Sequence, residues 1–382
     1  MLTLQDRVRR TIREHRLLAD GDRVLVAVSG GADSTALALL LPGIAPTFGA
    51  TVVGLAHLNH QLRDAAGDDE RFCRELAEHL GLPIVVERRD VSAEARLRRT
   101  SIEDAARAVR YAFLREAAAR LRASRIAVAH TRNDQAETVL LRLFRGAGPV
   151  GLAGIYPAAG EIVRPLLDVS RREVEAFLRE AGVAWREDAT NADVSIPRNR
   201  VRHELLPWLA RHFGEGVVDV LHRQAALSRE DAELLEKLAA EEARDLVLEK
   251  DEVVEVHIPG LLELPGALRR RCVLRALRQA AGGRFVGFAH VDAVLALTGD
   301  AGESPAAAVD LPGQRVERRG DRLIFTPATP DPGRAGRKRG RPVSKKVEAA
   351  ATPPGADEGA AGRKIGPGGA TLKSHAPKGG RG

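Results

Sequence analysis

Cysteine is nearly absent from this 382-residue chain: Cys73 and Cys272 are the two present, 199 residues apart. That pair excludes a disulfide-stapled scaffold and a four-cysteine zinc site, and neither thiol lies in a CxxC. Aromatic residues make up 3% against 44% apolar residues in all, so a core must be built from Leu, Val, Ile and Ala. No apolar run approaches the roughly 20 residues that span a bilayer. The longest, Ala36 to Phe48, is broken by Pro42, Gly43 and Pro46. The opening MLTLQDRVRRTIREH has no apolar h-region, and Asp6 and Glu14 argue against a transit peptide. The expectation is a soluble protein of a reducing, cytoplasmic setting, long enough for two or three domains.

Charge is plentiful but unevenly placed. The net charge of +7 resides in residues 328–382, which hold 12 basic and 4 acidic residues; the rest is balanced to within one charge. That last stretch is rich in Gly and Pro and has no aromatic residue, a composition that cannot offset its ordering entropy, so it is expected to be a disordered basic tail. Nucleic-acid binding by the body must therefore rest on local arginine clusters.

Apolar runs at Arg23–Val28, Thr51–Ala56, Leu82–Glu87 and Arg125–Ala129 read as buried strands. Helical patterns lie between and after them, at Ser34–Leu41 (stopping at Pro42), Asp68–Leu80, Ile102–Arg122 and Asp134–Phe144, with another helix at 3–18. This alternation predicts an α/β fold with a parallel sheet covered on both faces. After Pro207 the pattern becomes helical and charged over 217–247 and at Ala267–Gln279. Strand-like Val309–Leu311 and Leu323–Phe325 mark a small α+β piece. The expected division is a catalytic domain at 1–215, a helical segment at 216–283, a small C-terminal domain at 284–327 and the tail at 328–382.

The first strand runs into Ser29-Gly30-Gly31-Ala32-Asp33-Ser34 and then a helix. Paired glycines let backbone approach a ligand, and a helix N-terminus offers free N–H groups and a positive dipole end, which suit phosphate. Asp33 would repel phosphate unless Mg²⁺ lay between them. The simpler alternative is a tight turn with Asp33 or Ser34 as N-cap. The loop lacks the lysine of GxxxxGK[ST] and does not fit GxGxxG. It resembles the PP-loop, SGGxDS, of the N-type ATP pyrophosphatases, a resemblance that implies ATP cleaved to AMP and pyrophosphate.

Strand two leads into His57-Leu58-Asn59-His60-Gln61-Leu62-Arg63, at the edge where open α/β sheets bind ligands. Strand four leads into His130-Thr131-Arg132-Asn133-Asp134-Gln135-Ala136-Glu137, with Asn133 as a candidate N-cap. Asp134 and Glu137 share a helix face, where they could bind Mg²⁺, steer an amine, or merely complement the dipole. Further along come Glu103, Arg107 and Arg110 before Tyr111; then LLRLFRGAGPVGLAG with Arg142 and Arg145; then Arg164-Pro165-Leu166-Leu167; Trp185 to Asn191; and Arg198-Asn199-Arg200-Val201-Arg202.

In this order the segments resemble the tRNA(Ile)-lysidine synthetase family, densely over 1–210 and more weakly over 217–327. Asn133 stands where that family commonly has Asp; Asp134 is taken as the functional carboxylate. The resemblance implies ATP-dependent joining of free L-lysine to C2 of the wobble cytidine in a CAU-anticodon tRNA(Ile), through an adenylated base. It implies catalytic roles for Asp33, Asp134 and Glu137, with Asp33 the Mg²⁺ ligand. ATP would be held by Ser29, Gly30, Gly31, Ala32, Asp33, Ser34, His57, Asn59 and His130. The tRNA would be held by Arg63, Arg107, Arg110, Arg142, Arg145, Arg198, Asn199 and Arg202. A homodimer is expected. The rival within the superfamily is a tRNA thiolase, which the cysteine spacing disfavours. The rival from another class is minor-groove DNA binding by the tail's Arg337-Lys338-Arg339-Gly340-Arg341-Pro342, which resembles an AT-hook. A solubilising or non-specific polyelectrolyte tail is the favoured alternative to it.

Overall fold

A computed structural model describes residues 3–61, 66–98, 100–186, 192–250, 253–282, 284, 286–299 and 308–328. Arg63, residues 187–191 and the tail beyond Ala328 lie outside the described residues.

Residues up to 180 alternate as α1 (Leu4–Glu14), β1 (Arg23–Ala27), α2 (Ala32–Ile44), β2 (Thr51–Asn59), α3 (Ala66–His79), β3 (Ile84–Arg88), α4 (Val91–Arg98), α5 (Ile102–Leu121), β4 (Arg125–Ala127), α6 (Arg132–Phe144), α7 (Pro149–Leu152), β5 (Ala158–Ala159), β6 (Ile162–Val163) and α8 (Arg171–Glu180). The sheet order is β3-β2-β1-β4-β6-β5. The pairs β3–β2, β2–β1, β1–β4 and β4–β6 are parallel, and β5 alone is antiparallel.

Side-chain alternation explains why both faces are covered. Val24 and Val26 point into a core with Val8, Leu37, Leu41, Cys73 and Leu178, beneath α1, α2, α3 and α8. Leu25 points the other way, among Val91, Val109, Phe113, Leu114 and Ile126 beneath α4 and α5. α2 runs past Pro42 instead of stopping there. A proline so near a helix end forfeits a single amide bond, and the 3₁₀ turn Ala45–Phe48 continues the path.

After α8 come α9 (Pro197–Arg200), a π turn (Val201–Leu205), α10 (Leu206–Phe213) and the 30-residue α11 (Val217–Leu246). β7 (Val247–Lys250), β8 (Val253–His257), α12 (Ile258–Glu263), α13 (Gly266–Ala280), α14 (Phe288–Ala296), β9 (Ala308–Leu311), β10 (Gln314–Arg319) and β11 (Arg322–Pro327) complete the described chain. The last five strands form an antiparallel sheet, β7-β8-β11-β10-β9. β7 and β8 fall within the stretch read from sequence as helical, 216–283, so this sheet draws strands from both sides of the border expected at 283. Its core is Val254, Val256, Val316, Leu323 and Phe325 against Val273, Leu277 and Val294. α11 reaches both regions: Val217 and Leu221 pack near α6, and Ala239 and Ala243 join the second core. Among the described residues no helix is long and apolar enough to cross a membrane.

Candidate active site

The loop after β1 adopts the shape its glycines permit. Gly30 has φ +85°, and a Cβ there would sit 3.4 Å from Arg186 Cγ and 3.5 Å from Phe72 Cδ1. Its carbonyl accepts from Arg186 N at 2.9 Å. Gly31 is the N-cap of α2 and has no side chain to cap it, so the first-turn amides remain for a ligand. Neither Asp33 nor Ser34 is the cap. Ser34 Oγ instead braces the loop from inside: it accepts from Ser29 N at 3.1 Å, donates to Gly31 O at 3.0 Å and lies 3.2 Å from Ser29 Oγ.

Asp33 faces the two acids of α6 across a set of arginines. Its Oδ1 is buried with no hydrogen-bond partner, and its Oδ2 lies 3.5 Å from Arg171 Nη2. Burial, reinforced by the charge of Asp134 and opposed by Arg171, raises its pKa to about 6. Asp134 belongs to the capping box of α6: its Oδ2 accepts from Thr131 N at 2.8 Å and Thr131 Oγ1 at 2.9 Å. Thr131, not Asn133, is therefore the N-cap. Asp134 Oδ1 lies 3.1, 3.4 and 3.6 Å from Arg198, Arg202 and Arg171. Burial works against ionisation of Asp134, but Arg198 and the other cations around it hold the carboxyl well below its ordinary range. The Glu137 side chain is 1% exposed; its oxygens meet Arg198 Nε at 2.8 Å and Arg202 Nε at 2.6 Å, with Arg171 at 3.9 Å. Three carboxylates and three guanidiniums thus form one cluster.

Arg171 is the residue that sequence reasoning missed, and it alone of these arginines makes an ion pair with Asp33 as well as with both α6 acids. It sits at the start of α8, where Asn133 Oδ1 accepts from its backbone N at 3.0 Å. Nothing in Ser170-Arg171-Arg172-Glu173 distinguishes it locally from an ordinary helix start.

Other expected residues divide between the site and its frame. His57 donates from Nδ1 to Val28 O at 3.0 Å, burial lowers its pKa, and its Nε2 is buried without a partner. Asn59 shapes the turn after β2, donating to Ala66 O and Glu70 Oε2 and accepting from Gln61 N. His130 Nδ1 accepts from Arg164 Nε at 3.1 Å, and burial pulls its pKa down to about 3, so it is neutral. Arg142 spans the glycine-rich turn, donating to Gly151 O at 3.0 Å and Gly154 O at 2.8 Å. Asn199 is buried and donates to Asp193 O. Arg198 and Arg202, read from sequence as tRNA contacts, turn inward onto carboxylates. Arg107, stacked on Tyr111 at 5.0 Å, remains exposed with Arg110 and Arg145. Cys73 is buried with its thiol pushed up to about 12, and Cys272 is also buried.

No group of three or more His, Cys, Asp or Glu among the described residues could hold a metal unaided. The unpartnered Asp33 oxygen beside a phosphate-ready helix end nevertheless fits Mg²⁺, which commonly takes one carboxylate together with substrate phosphates and water.

Two family models and several known proteins match the chain. Residues 2–209 match the PP-loop domain family, and residues 257–324 match the TilS substrate binding domain. The tRNA(Ile)-lysidine synthase of Geobacter sulfurreducens is 43% identical over 311 residues, covering 80% of this chain and 65% of that protein. That of Symbiobacterium thermophilum is 44% identical over 78% of this chain and 64% of its own length. The chain thus spans a little under two thirds of these two relatives. The one from Leifsonia xyli is 39% identical over 315 residues, 82% of this chain and 92% of that protein. With its phosphate loop, its paired acids and both sequence matches in place, the chain belongs to the tRNA(Ile)-lysidine synthase family.

Proposed function

We propose that this chain joins the ε-amine of free L-lysine to C2 of the wobble cytidine of a CAU-anticodon tRNA(Ile), consuming ATP and releasing AMP and pyrophosphate. The observation that carries the reading is the placement of Asp134 and Glu137 opposite Asp33 of the phosphate loop, with Arg171 between. The C2 oxygen of cytosine is a poor leaving group. Its attack on the α-phosphorus of ATP expels pyrophosphate and leaves an adenylated base. The lysine Nε then attacks C2, the C2–O bond breaks, and AMP departs with that oxygen. The loop amides stabilise charge on the phosphoryl oxygens. Mg²⁺ held by Asp33 would offset the phosphate charge near that carboxylate. Asp134 and Glu137 bind the lysine ammonium and accept its proton, so that the amine attacks neutral. Before that they must exchange Arg198 and Arg202 for the substrate cation.

Residues 1–215 carry this chemistry, and the charged helices and small sheet that follow hold the tRNA body. Sulfur transfer is disfavoured, because both thiols are buried and Cys73 resists ionisation. The test is incubation with ATP, labelled lysine and a CAU-anticodon tRNA. Label in the RNA with matching AMP release is expected, whereas pyrophosphate release with only another acceptor would refute the reading. Glu137→Ala should bind ATP normally and fail to transfer lysine; unchanged turnover would remove Glu137 from the mechanism.

A further inference from the structure

The face of α6 that carries the two acids does not end with them. Asp134 and Glu137 are followed on the same helical stripe by Leu141 and Phe144, and these line an open groove of about 610 Å³. Its opposite wall is Val201, Leu205 and Trp208. These belong to the segment that sends Arg198 and Arg202 onto the acids, so one segment covers the acid cluster at one end of α6 and walls the groove at the other. Phe144 is 65% exposed and Trp208 49%, although Trp208 also contacts the His212 ring at 4.6 Å.

The charges lining the groove are Arg145, Arg200 and Glu204. Arg200 donates to Val194 O at 3.1 Å, and the guanidinium of Arg145 makes no ion pair or hydrogen bond among the described residues. An apolar slot with two exposed aromatic rings, a surplus of guanidinium at its rim and one carboxylate suits a nucleobase. The rings stack on it, an arginine meets the phosphodiester, and the carboxylate accepts from an exocyclic amine. A hydrophobic peptide would use the walls and leave the arginines idle. From Glu137 to Phe144 the helix rises about 10 Å, near enough for neighbouring nucleotides of one loop.

We propose that this groove receives an unstacked base of the RNA loop whose neighbouring base enters the acid site. The inference rests on the function proposed above. Occupancy of the groove bears on the segment holding Arg198 and Arg202, and so favours release of Asp134 and Glu137 for the amine.

The chain has two tryptophans, so Trp185→Phe leaves Trp208 as the sole indole. Titration of that variant with a CAU anticodon stem–loop RNA should quench its fluorescence. In the natural background, W208L should weaken stem–loop binding about tenfold, the scale of one base–aromatic stack, with ATP binding unchanged. F144L should weaken RNA binding in the same direction. Silent Trp208 emission at saturating RNA, or unchanged affinity in W208L, overturns the proposal. A shift from dimer to monomer in W208L sedimentation also overturns it, by assigning the groove to a second copy of the chain. Lysine incorporation into full-length tRNA is measured on the same preparations. Incorporation with a silent Trp208 rejects the groove alone, whereas quenching without incorporation by the natural protein rejects the enzymatic reading alone.

Discussion

The phosphate loop and the acid–arginine cluster face one another and are built on opposite principles. The loop braces itself through Ser29 and Ser34 but keeps its ligand-facing groups free: a glycine N-cap leaves the amides of α2 uncapped, and Asp33 retains an oxygen with no hydrogen-bond partner. The cluster spends its polar groups on itself, with Arg198 and Arg202 each reaching both Asp134 and Glu137. One side is open to an anion, while the other already holds its own cations. Arg171 is the link between them, because it touches the acid of the loop and both acids of the cluster.

The largest effect should come from breaking the cluster. Glu137→Gln keeps the shape and removes one charge, leaving Arg198 and Arg202 to share Asp134 in a largely buried setting. Removing one partner of such a set costs about 3 kcal/mol, measurable by urea unfolding at neutral pH. Arg202→Gln in the same background should cost less than it does alone, because the surplus guanidinium goes with it. Strictly additive losses would show that the three arginines and three acids do not act as a unit.

The loop can be probed through its two glycines, which look equivalent in the sequence. Gly30 has φ +85° and close neighbours; Gly31 has φ −71°, and its nearest obstacle to a Cβ is Ser29 Oγ at 3.6 Å. Gly30→Ala should therefore lose about 1–2 kcal/mol of stability and weaken ATP binding at least tenfold by calorimetry. Gly31→Ala should stay within about 0.5 kcal/mol in stability. Equal losses at both positions would mean that glycine at 30 is not required by its backbone angle.

Legibility in the sequence follows the same divide. The loop is one continuous hexapeptide between a strand and a helix, so its physics can be read locally. The cluster brings together residues 33, 134, 137, 171, 198 and 202, and counting arginines within a short window suggested phosphate contacts where the fold supplies counter-charges. The parallel sheet was readable because its strands are apolar on both faces. β7 and β10, VLEK and QRVERR, were not, since β7 is exposed from Leu248 onward, β10 alternates buried and exposed residues at its start, and both read as polar helix or loop. Asn133 shows the limit at a single residue: a sound N-cap by type, it instead holds the backbone of Arg171, thirty-eight residues on.

A carboxylate outside both regions sharpens the comparison, since it is paired without like-charged competition from Asp134 or Glu137. Glu70 on α3 accepts from Arg88 at 2.8 Å, Arg74 at 3.0 Å and Asn59 at 3.4 Å. The hydrogen bond from Arg88 leads the causes that bring its pKa down to about 2, against opposition from burial. A carboxyl whose folded pKa lies below its unfolded value contributes stability in full above the unfolded pKa and loses it as pH falls through the folded one. Glu70 therefore stabilises fully above about pH 4.5, and its contribution fades toward pH 2. Because Arg74 and Arg88 are 53% and 63% exposed, solvent screening limits the contribution to about 1 kcal/mol. Glu70→Gln should lose that amount in urea unfolding at pH 7, and the gap from the natural chain should narrow steadily between pH 4.5 and pH 2. A gap that ignores pH would show that Glu70 acts through hydrogen-bond geometry rather than charge.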